Sequence, residues 1–221
     1  MLAKELITDI IPVLKPEDKG QTALNLMDTF RVSHLPVVKE EEYLGLISDK
    51  FIYDLNLNEE VIDKHIMQLH TPHIHENQHI VEAASVMYKL GVTVLPVVND
   101  VHTYKGCIIL PDISSEFARM LSLDEPGGVI ILNIPDHSYS LSQISQIVES
   151  NDTRLLSFFA LKPVNSDMLQ VTIKLNKVDL SGVIRTFERY DYQIASVFMD
   201  DSMLQDLYED RLEQFIRYLN I

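Results

Sequence analysis

Histidine is concentrated in one short segment of the chain. Five of the eight histidines fall there: His65, His70, His73, His75 and His79. Imidazole nitrogens are common ligands of zinc, nickel and copper, and His73 and His75 would share one face of an extended segment. The segment could therefore hold a metal ion. We favour the alternative, a polar linker strand with solvated histidines.

The other residues with reactive or charged side chains do not belong to a recognisable catalytic or metal-binding motif. Asp136, His137 and Ser138 have the side-chain types of a hydrolytic triad, but they are adjacent in sequence and no G-x-S-x-G motif accompanies them. Cys107 lies inside an apolar run, where desolvation of the thiolate keeps a thiol inert. The acidic run Glu40–Glu42 could gather a cation but is typical of a turn that faces water. We expect no enzyme activity, no cofactor and no metal site.

The composition is that of a folded, acidic chain. Its 221 residues are 46% hydrophobic, and 18 Lys and Arg against 33 Asp and Glu give a formal net charge of −15. Such a surface repels phosphate backbones and anionic lipids, so we expect neither nucleic acid nor membrane as a partner. One cysteine excludes an internal disulfide, and no stretch approaches the roughly 18 apolar residues of a membrane span. We expect a cytoplasmic protein.

The first half of the chain contains an internal repeat. Residues 23–38 align without a gap on residues 83–98, and the Leu-Pro-Val-Val at Pro36 recurs at Pro96, an offset of 60 residues. A following Gly-Leu-Ile at Gly45 corresponds to Gly-Cys-Ile at Gly106, with one residue inserted. Two copies therefore occupy residues 1 to about 122. We expect them to pack together, because a unit of this size buries too little surface alone.

Both copies have the same order of predicted elements. Apolar residues at helical spacing predict one helix through Ala23, Leu26, Met27 and Phe30, and another through Ile80, Ala83, Met87 and Leu90. A buried strand follows each helix, at Leu35–Val38 or Leu95–Val98. A polar turn then leads to a second strand, at Leu44–Ile47 or Cys107–Leu110, and to a second helix.

The pattern changes after Pro126. Apolar runs predict strands at Val129–Ile134, Leu155–Ala160, Leu169–Leu175 and Gln193–Phe198. One helix opens at a capping box of Ser140 and Gln143, and another carries Leu180, Val183, Ile184 and Phe187. The order βαββαβ predicts an open antiparallel sheet with two helices on one side. A terminal amphipathic helix at 201–221 would pack on its own chain or on a second subunit.

These motifs resemble known families. The doubled Leu-Pro-Val-Val with its following Gly resembles a tandem cystathionine-β-synthase (CBS) domain pair, and residues 126–200 are similar to an ACT domain. The combination resembles the CBS-CBS-ACT proteins of the acetoin-utilization AcuB-like group. The resemblance implies an α+β fold: α/β-type CBS repeats at 1–62 and 63–123 forming a Bateman module, a ferredoxin-like ACT domain at 126–200, and the C-terminal helix.

The resemblance also implies a ligand. CBS pairs bind adenosyl ligands such as AMP, ADP, ATP or S-adenosylmethionine in clefts between the two modules. Their pattern G-h-h-[ST]-x-x-[DN] supplies a hydroxyl and a carboxylate for the ribose. The first copy keeps Ser48 but has Phe51 in place of the acid, whereas the second keeps Asp112 but has Ile109 in place of the hydroxyl. Each implied cleft has half of its motif.

The implied contacts can be named residue by residue. They are main-chain groups near Val32, His34, Val92 and Val94, together with the side chains of Ser48 and Asp112. The ACT loop D-x-P-G-x-L occurs here with Ser138 and Tyr139 in place of Pro and Gly. Because the glycine lets backbone amides approach a small ligand, we do not expect amino-acid binding of the usual kind.

Two functions remain open on this basis. The first is a non-catalytic sensor that binds an adenosyl nucleotide between the CBS domains, forms a homodimer through its ACT-like domain, and relays the bound state to an unidentified regulated protein. The second is a dimeric interaction scaffold whose clefts are degenerate. We favour the first; Phe51 and Ile109 are the features that support the second.

Overall fold

The computed structural model describes residues 1–164 and 166–199. Its internal contacts divide the chain into two compact units, residues 1–116 and residues from 117 onward. The terminal helix predicted at 201–221 lies outside the described residues. Among the residues that are described, no helix is long and apolar enough to cross a membrane.

The first unit contains the two repeat copies. The first copy consists of α1 (Gly20–Phe30), β1 (His34–Lys39), β2 (Glu42–Ser48) and α2 (Asp49–Asp54). The second consists of β3 (Ile74–His75), α3 (Ile80–Leu90), β4 (Val94–Val98), β5 (Tyr104–Ile109) and α4 (Leu110–Met120), which runs past the unit boundary. Short 3-10 helices lie at Ala3–Glu5 and Ile62–Gln68. The predicted order of elements is confirmed in both copies.

The two hairpins are built alike. β1 pairs antiparallel with β2, and β4 pairs antiparallel with β5, while β3 lies parallel to β4. Both ladders have an irregularity at the same place in the repeat, directly after Val37 and directly after Val97. Gly45 and Gly106 are the residues that pair with these two valines. The repeat seen in the sequence therefore extends to the register of the strands.

The segment that precedes each copy's first helix pairs with the other copy. The N–H of Ala3 donates to the carbonyl of Gln78 at 2.8 Å, and the N–H of Thr8 donates to the carbonyl of Cys107 at 2.9 Å. In the opposite direction, Asp63 N–H donates to the carbonyl of Pro16 at 2.8 Å. The two copies therefore exchange contacts through their leading segments.

The two copies also share apolar packing. Leu14, Leu35 and Ile47 form one buried cluster that includes Val94 and Cys107 of the second copy. Full burial of such side chains contributes about 1.5–3 kcal/mol each relative to exposure. Leu90, one of the apolar residues whose spacing predicted α3, is 58% exposed at the C-terminal end of that helix. Apolar spacing does not distinguish the last helical position from buried ones.

The second unit has the predicted βαββαβ order. Its elements are β6 (Val129–Pro135), α5 (Leu141–Glu149), β7 (Leu155–Leu161), β8 (Met168–Leu175), α6 (Ser181–Arg189) and β9 (Gln193–Phe198). The strands form one antiparallel sheet in the order β7-β8-β6-β9, and α5 and α6 share a core with one face of it. Ser140 accepts from Gln143 N–H at 3.4 Å, while the Gln143 side chain instead accepts from the Tyr192 hydroxyl at 2.8 Å.

Candidate functional site

A cavity of about 370 Å³ lies on the first repeat copy. It is formed by the second half of α1, by the residues that lead into β1, and by α2. Its lining residues are Leu24, Met27, Asp28, Arg31, Val32, Ser33, Asp49 and Tyr53. Leu24 and Met27 are buried, whereas the side chains of Asp28 and Arg31 are largely exposed. The cavity is therefore mostly polar and charged, with a small apolar floor.

The end of α1 directs the chain into this cavity. Arg31 adopts the left-handed backbone conformation, with φ of 56°, and the N–H of Val32 donates back to the carbonyl of Met27 at 3.0 Å. These two features end the helix and place Val32 and Ser33 in the lining. The Arg31 guanidinium lies 3.1 Å from the Asp28 carboxylate one turn earlier.

The start of α2 forms the other wall. Ser48 is the N-cap, and its hydroxyl oxygen accepts from the N–H of Phe51 at 3.0 Å. The N–H of Asp49 donates to the carbonyl of Ser33 at 3.1 Å, which ties the start of α2 to the residues leading into β1. Ser48 therefore acts as a helix cap, and the neighbouring Asp49 is the residue that lines the cavity.

His34 joins the two copies. The N–H of Ser33 donates to the Thr93 hydroxyl at 3.1 Å, and the N–H of Thr93 donates to His34 Nδ1 at 3.3 Å. Because Nδ1 accepts a backbone proton, the imidazole is neutral, and the Thr93 hydroxyl, 3.2 Å away, can donate to it. Burial lowers the pKa of His34, and the charge of Asp49 partly opposes this shift.

The second copy repeats the backbone geometry but not the side chains. The N–H of Leu110 donates to the carbonyl of Thr93 at 3.1 Å, as Asp49 does to Ser33. Val92 is buried, Val94 is fully buried in the shared cluster, and Asp112 is half-buried in the first turn of α4. The cavity on the first copy includes none of these three residues.

Of the six residues named from the sequence, only Val32 lines this cavity. His34 and Ser48 are adjacent in sequence to the lining residues Ser33 and Asp49. All of the lining belongs to the first copy, although the resemblance implied clefts between the copies. Asp28 and Asp49 were not predicted from the sequence, because the resemblance identified only residues at positions of the family motif.

A second cavity, of about 560 Å³, does lie between the copies, at their two hairpin turns. It is lined by Lys39, the acidic run Glu40–Glu42, and residues 101–103 of the second copy. The N–H of Tyr104 donates across to the carbonyl of Glu41 at 2.8 Å. The three glutamates are exposed, as the acidic turn predicted.

The histidine segment matches the expected solvated linker in part, because His70, His73 and His79 are exposed, whereas His65 and His75 are half-buried. His65 Nε2 lies 3.3 Å from a Glu60 carboxylate oxygen, and His75 Nε2 lies 2.8 Å from Asp100. His79 caps α3, because its Nδ1 accepts from the N–H of Val81 at 3.3 Å. Within residues 1–164 and 166–199, no three His, Cys, Asp or Glu residues come together as metal ligands. These histidines have structural roles.

Cys107 is fully buried, as predicted from its apolar neighbours. Burial raises the pKa of its thiol to about 11, although a hydrogen bond with Tyr104 acts in the opposite direction. A thiol with this pKa carries almost no thiolate near neutral pH. Cys107 is therefore an inert core residue.

The second unit has a cavity of about 390 Å³, lined by Asn133, Ile134, Pro135, Ser138, Gln143, Met168, Tyr190, Asp191, Tyr192 and Gln193. Asp136, the acidic residue of the ACT-like loop, lies 2.6 Å from the Lys162 ammonium. The Tyr139 ring, which stands where the family has glycine, packs 6.1 Å from the Phe158 ring. Asp136, His137 and Ser138 follow one another in a single 3-10 turn, so they do not form a catalytic triad.

The sequence is related to known proteins in two ways, first to individual proteins and second to a domain family. The inosine-5′-monophosphate dehydrogenase of Methanocaldococcus jannaschii is 33% identical to this chain over 109 residues, which are 49% of this chain and 22% of the dehydrogenase. The chain therefore spans about a fifth of the length of that relative. The second relationship is to a domain family, given below.

Solved structures show similar folds over about half of the chain. A CBS domain pair/ACT domain protein from Thermotoga maritima has a TM-score of 0.49 at 21% identity, covering 55% of this chain and 99% of its own. The CBS domain pair of protein MJ0100, solved with 5′-methylthioadenosine and S-adenosyl-L-methionine, has a TM-score of 0.44 at 24% identity, covering 54% and 97%. The model of the CBS domain family matches residues 3–50 of this chain.

Proposed function

We propose that residues 1–116 are a CBS domain pair that binds an adenosyl compound, and that the protein is a regulatory sensor and not an enzyme. The CBS family match at residues 3–50 and the second copy with the same hairpin register support the pair. The main support for ligand binding is the cavity of about 370 Å³ where α1, the start of β1 and α2 meet.

The lining can meet each part of an adenosyl compound. Leu24 and Met27 form a small apolar floor beneath the adenine ring in this proposal, and the backbone around Val32 and Ser33 lies at its edge. Asp49 supplies a carboxylate from α2, although Phe51 occupies the position where the family motif has its acid. One Asp49 oxygen accepts from the N–H of Lys50 at 2.6 Å, and the other can accept a ribose hydroxyl.

Hydrogen bonds connect this cavity to the second copy, so ligand binding in the first copy can affect the second. Ser33 lines the cavity, and its N–H donates to the Thr93 hydroxyl, which contacts His34. A ligand that prefers one arrangement of this contact shifts the population of that arrangement. In our proposal the cytoplasmic protein forms a homodimer through its ACT-like residues 126–200 and passes this shift to a regulated protein.

The scaffold is the second candidate function. Ile109 stands where the family motif has a hydroxyl, so the second copy lacks one of the groups that the motif uses for its ligand. If the first copy has lost binding as well, the fold would serve dimerisation alone.

Calorimetric titration of the full chain with AMP, ADP, ATP and S-adenosylmethionine separates the two functions. The sensor predicts heat of binding and a thermal shift with at least one compound. Asp49→Ala should weaken that binding by roughly tenfold, since a lost charge-assisted hydrogen bond is worth about 1.5–3 kcal/mol. Asp54→Ala, an exposed carboxylate on the same helix but outside the lining, is the matched control. If no compound gives heat of binding or a thermal shift, the sensor function is excluded and the interaction scaffold remains.

A further inference from the structure

We infer that the cavity on the first copy selects neutral or cationic adenosyl compounds and rejects nucleoside polyphosphates, an inference that rests on the proposed function. The charged groups in its lining are the carboxylates of Asp28 and Asp49 and the guanidinium of Arg31. The lining therefore carries a net negative charge, within a chain whose formal net charge is −15.

Arg31 is the one cation of this lining, and it is engaged. Its Nη1 lies 3.1 Å from Asp28 Oδ1, and both side chains are exposed at the rim. Phosphate groups are held by guanidinium or ammonium groups that are free to form a charge-assisted contact. A phosphate at this rim would have to compete with Asp28 for Arg31, and it would also approach the carboxylate of Asp49.

The backbone of α2 offers no substitute donors. The N–H of Asp49 donates to the Ser33 carbonyl at 3.1 Å, and the N–H of Lys50 donates to the Asp49 carboxylate at 2.6 Å. The N–H of Phe51 donates to the Ser48 hydroxyl at 3.0 Å. The first three amides of α2, which elsewhere bind phosphate at helix starts, already have partners inside the protein.

The same lining favours a positive charge next to the adenosine. Asp49 has no cation partner within the lining, and Tyr53, which is 64% exposed, adds an aromatic ring. A carboxylate and an aromatic face are the groups that stabilise a sulfonium or ammonium ion. S-adenosylmethionine carries both cations, and 5′-methylthioadenosine is its uncharged counterpart with the same adenosine and 5′ sulfur.

The test is calorimetric titration of the full chain with S-adenosylmethionine, 5′-methylthioadenosine, AMP and ATP, without divalent cations. We expect the affinities to fall in that order, with ATP at least about tenfold weaker than S-adenosylmethionine. Raising the ionic strength from low salt to about 0.15 M should weaken S-adenosylmethionine and strengthen ATP, because screening reduces attraction and repulsion alike. ATP that binds as tightly as S-adenosylmethionine would overturn the charge inference and leave the proposed function standing.

Two isosteric variants locate the effect. Asp28→Asn releases Arg31, so ATP should bind roughly tenfold more tightly while 5′-methylthioadenosine is unchanged. Asp49→Asn should reduce the preference for S-adenosylmethionine over 5′-methylthioadenosine by roughly fivefold. Asp54→Asn is the control and should change no affinity. Equal effects of Asp49→Asn on both compounds would limit Asp49 to the ribose contact of the proposed function and would contradict the charge inference. If none of the four compounds binds, it is the proposed function that fails.

Discussion

His34 Nδ1 lies 3.2 Å from Thr93 Oγ1, and this contact joins equivalent regions of the two repeat copies. Thr93 occupies the position in the second copy that Ser33 occupies in the first, and the N–H of Ser33 donates to the same Thr93 hydroxyl at 3.1 Å. Because Ser33 also lines the cavity on the first copy, the contact lies between the proposed ligand and the second copy.

Removing the Thr93 hydroxyl should destabilise the first unit. In Thr93→Val the part-buried N–H of Ser33 loses its acceptor, which costs about 1–3 kcal/mol. Thr93→Ser keeps the hydroxyl and should recover most of this loss. Urea unfolding at neutral pH measures both variants. Thr22→Val, at an exposed position of α1, is the control and should stay within about 0.5 kcal/mol of the wild type. A Thr93→Val protein as stable as the control would show that the contact adds nothing.

The same contact predicts a dependence of stability on pH. Burial holds the pKa of His34 below its ordinary value of 6.5, so the unfolded state takes up the proton first as the pH falls. The stability from this group is complete above about pH 6.5 and is lost as the pH falls through the lowered value. His34→Asn, whose side-chain oxygen can still accept from the N–H of Thr93, should reduce this slope. Urea midpoints at pH 7.5 and 5.5 give the comparison; equal slopes in the two proteins would argue against the neutral imidazole.

Ser48 should matter for stability more than for ligand affinity. Its hydroxyl caps α2 by accepting from the N–H of Phe51, so Ser48→Ala should cost about 1 kcal/mol, whereas Ser48→Asp should keep the cap. Because Ser48 is absent from the cavity lining, ligand affinity measured well below the melting temperature should change less than about twofold. A large loss of affinity with unchanged stability would instead show a direct contact with the ligand, as the family motif implies.

Asp112 gives a test of which copy binds. It is the matched acid of the second copy, but the cavity described above does not include it. We therefore expect Asp112→Ala to leave adenosyl affinity within about twofold of the wild type, in contrast to Asp49→Ala. Calorimetry on both variants decides the point. Loss of binding in Asp112→Ala would move the ligand to the second copy.

Light scattering tests the homodimer. The chain has a mass of 25.3 kDa, so the proposed dimer should scatter with twice that mass. The measurement should be made with and without S-adenosylmethionine, since a sensor can change its assembly on binding. A mass near that of one chain under both conditions would exclude dimerisation as the output.

Local patterns in the sequence were enough to predict the elements. The helix through Ala23 and Met27, the strand around Pro36 and their counterparts 60 residues later follow from spacing and repetition, and each was found. The βαββαβ order from Val129 to Phe198 was predicted in the same way. These properties depend on neighbours within a few residues along the chain.

Contacts between distant residues were not predictable in this way. The pairing of His75 with Asp100 and the exchange of leading segments join residues far apart in sequence, so no local pattern indicates them. The family resemblance implied Ser48 as a ligand contact; in the structure its side chain caps a helix, and the next residue, Asp49, lines the cavity. A motif shows which residue types are present, but their directions depend on the helix that the motif begins.

The measurement that tests the account most directly is amide chemical-shift mapping of the full chain during titration with 5′-methylthioadenosine, which avoids any effect of ligand charge. The account predicts the largest shifts at Val32, Ser33, Asp49 and Tyr53, with smaller ones reaching Thr93. Saturating ligand that perturbs none of these amides, or that perturbs mainly residues 126–199, would contradict it.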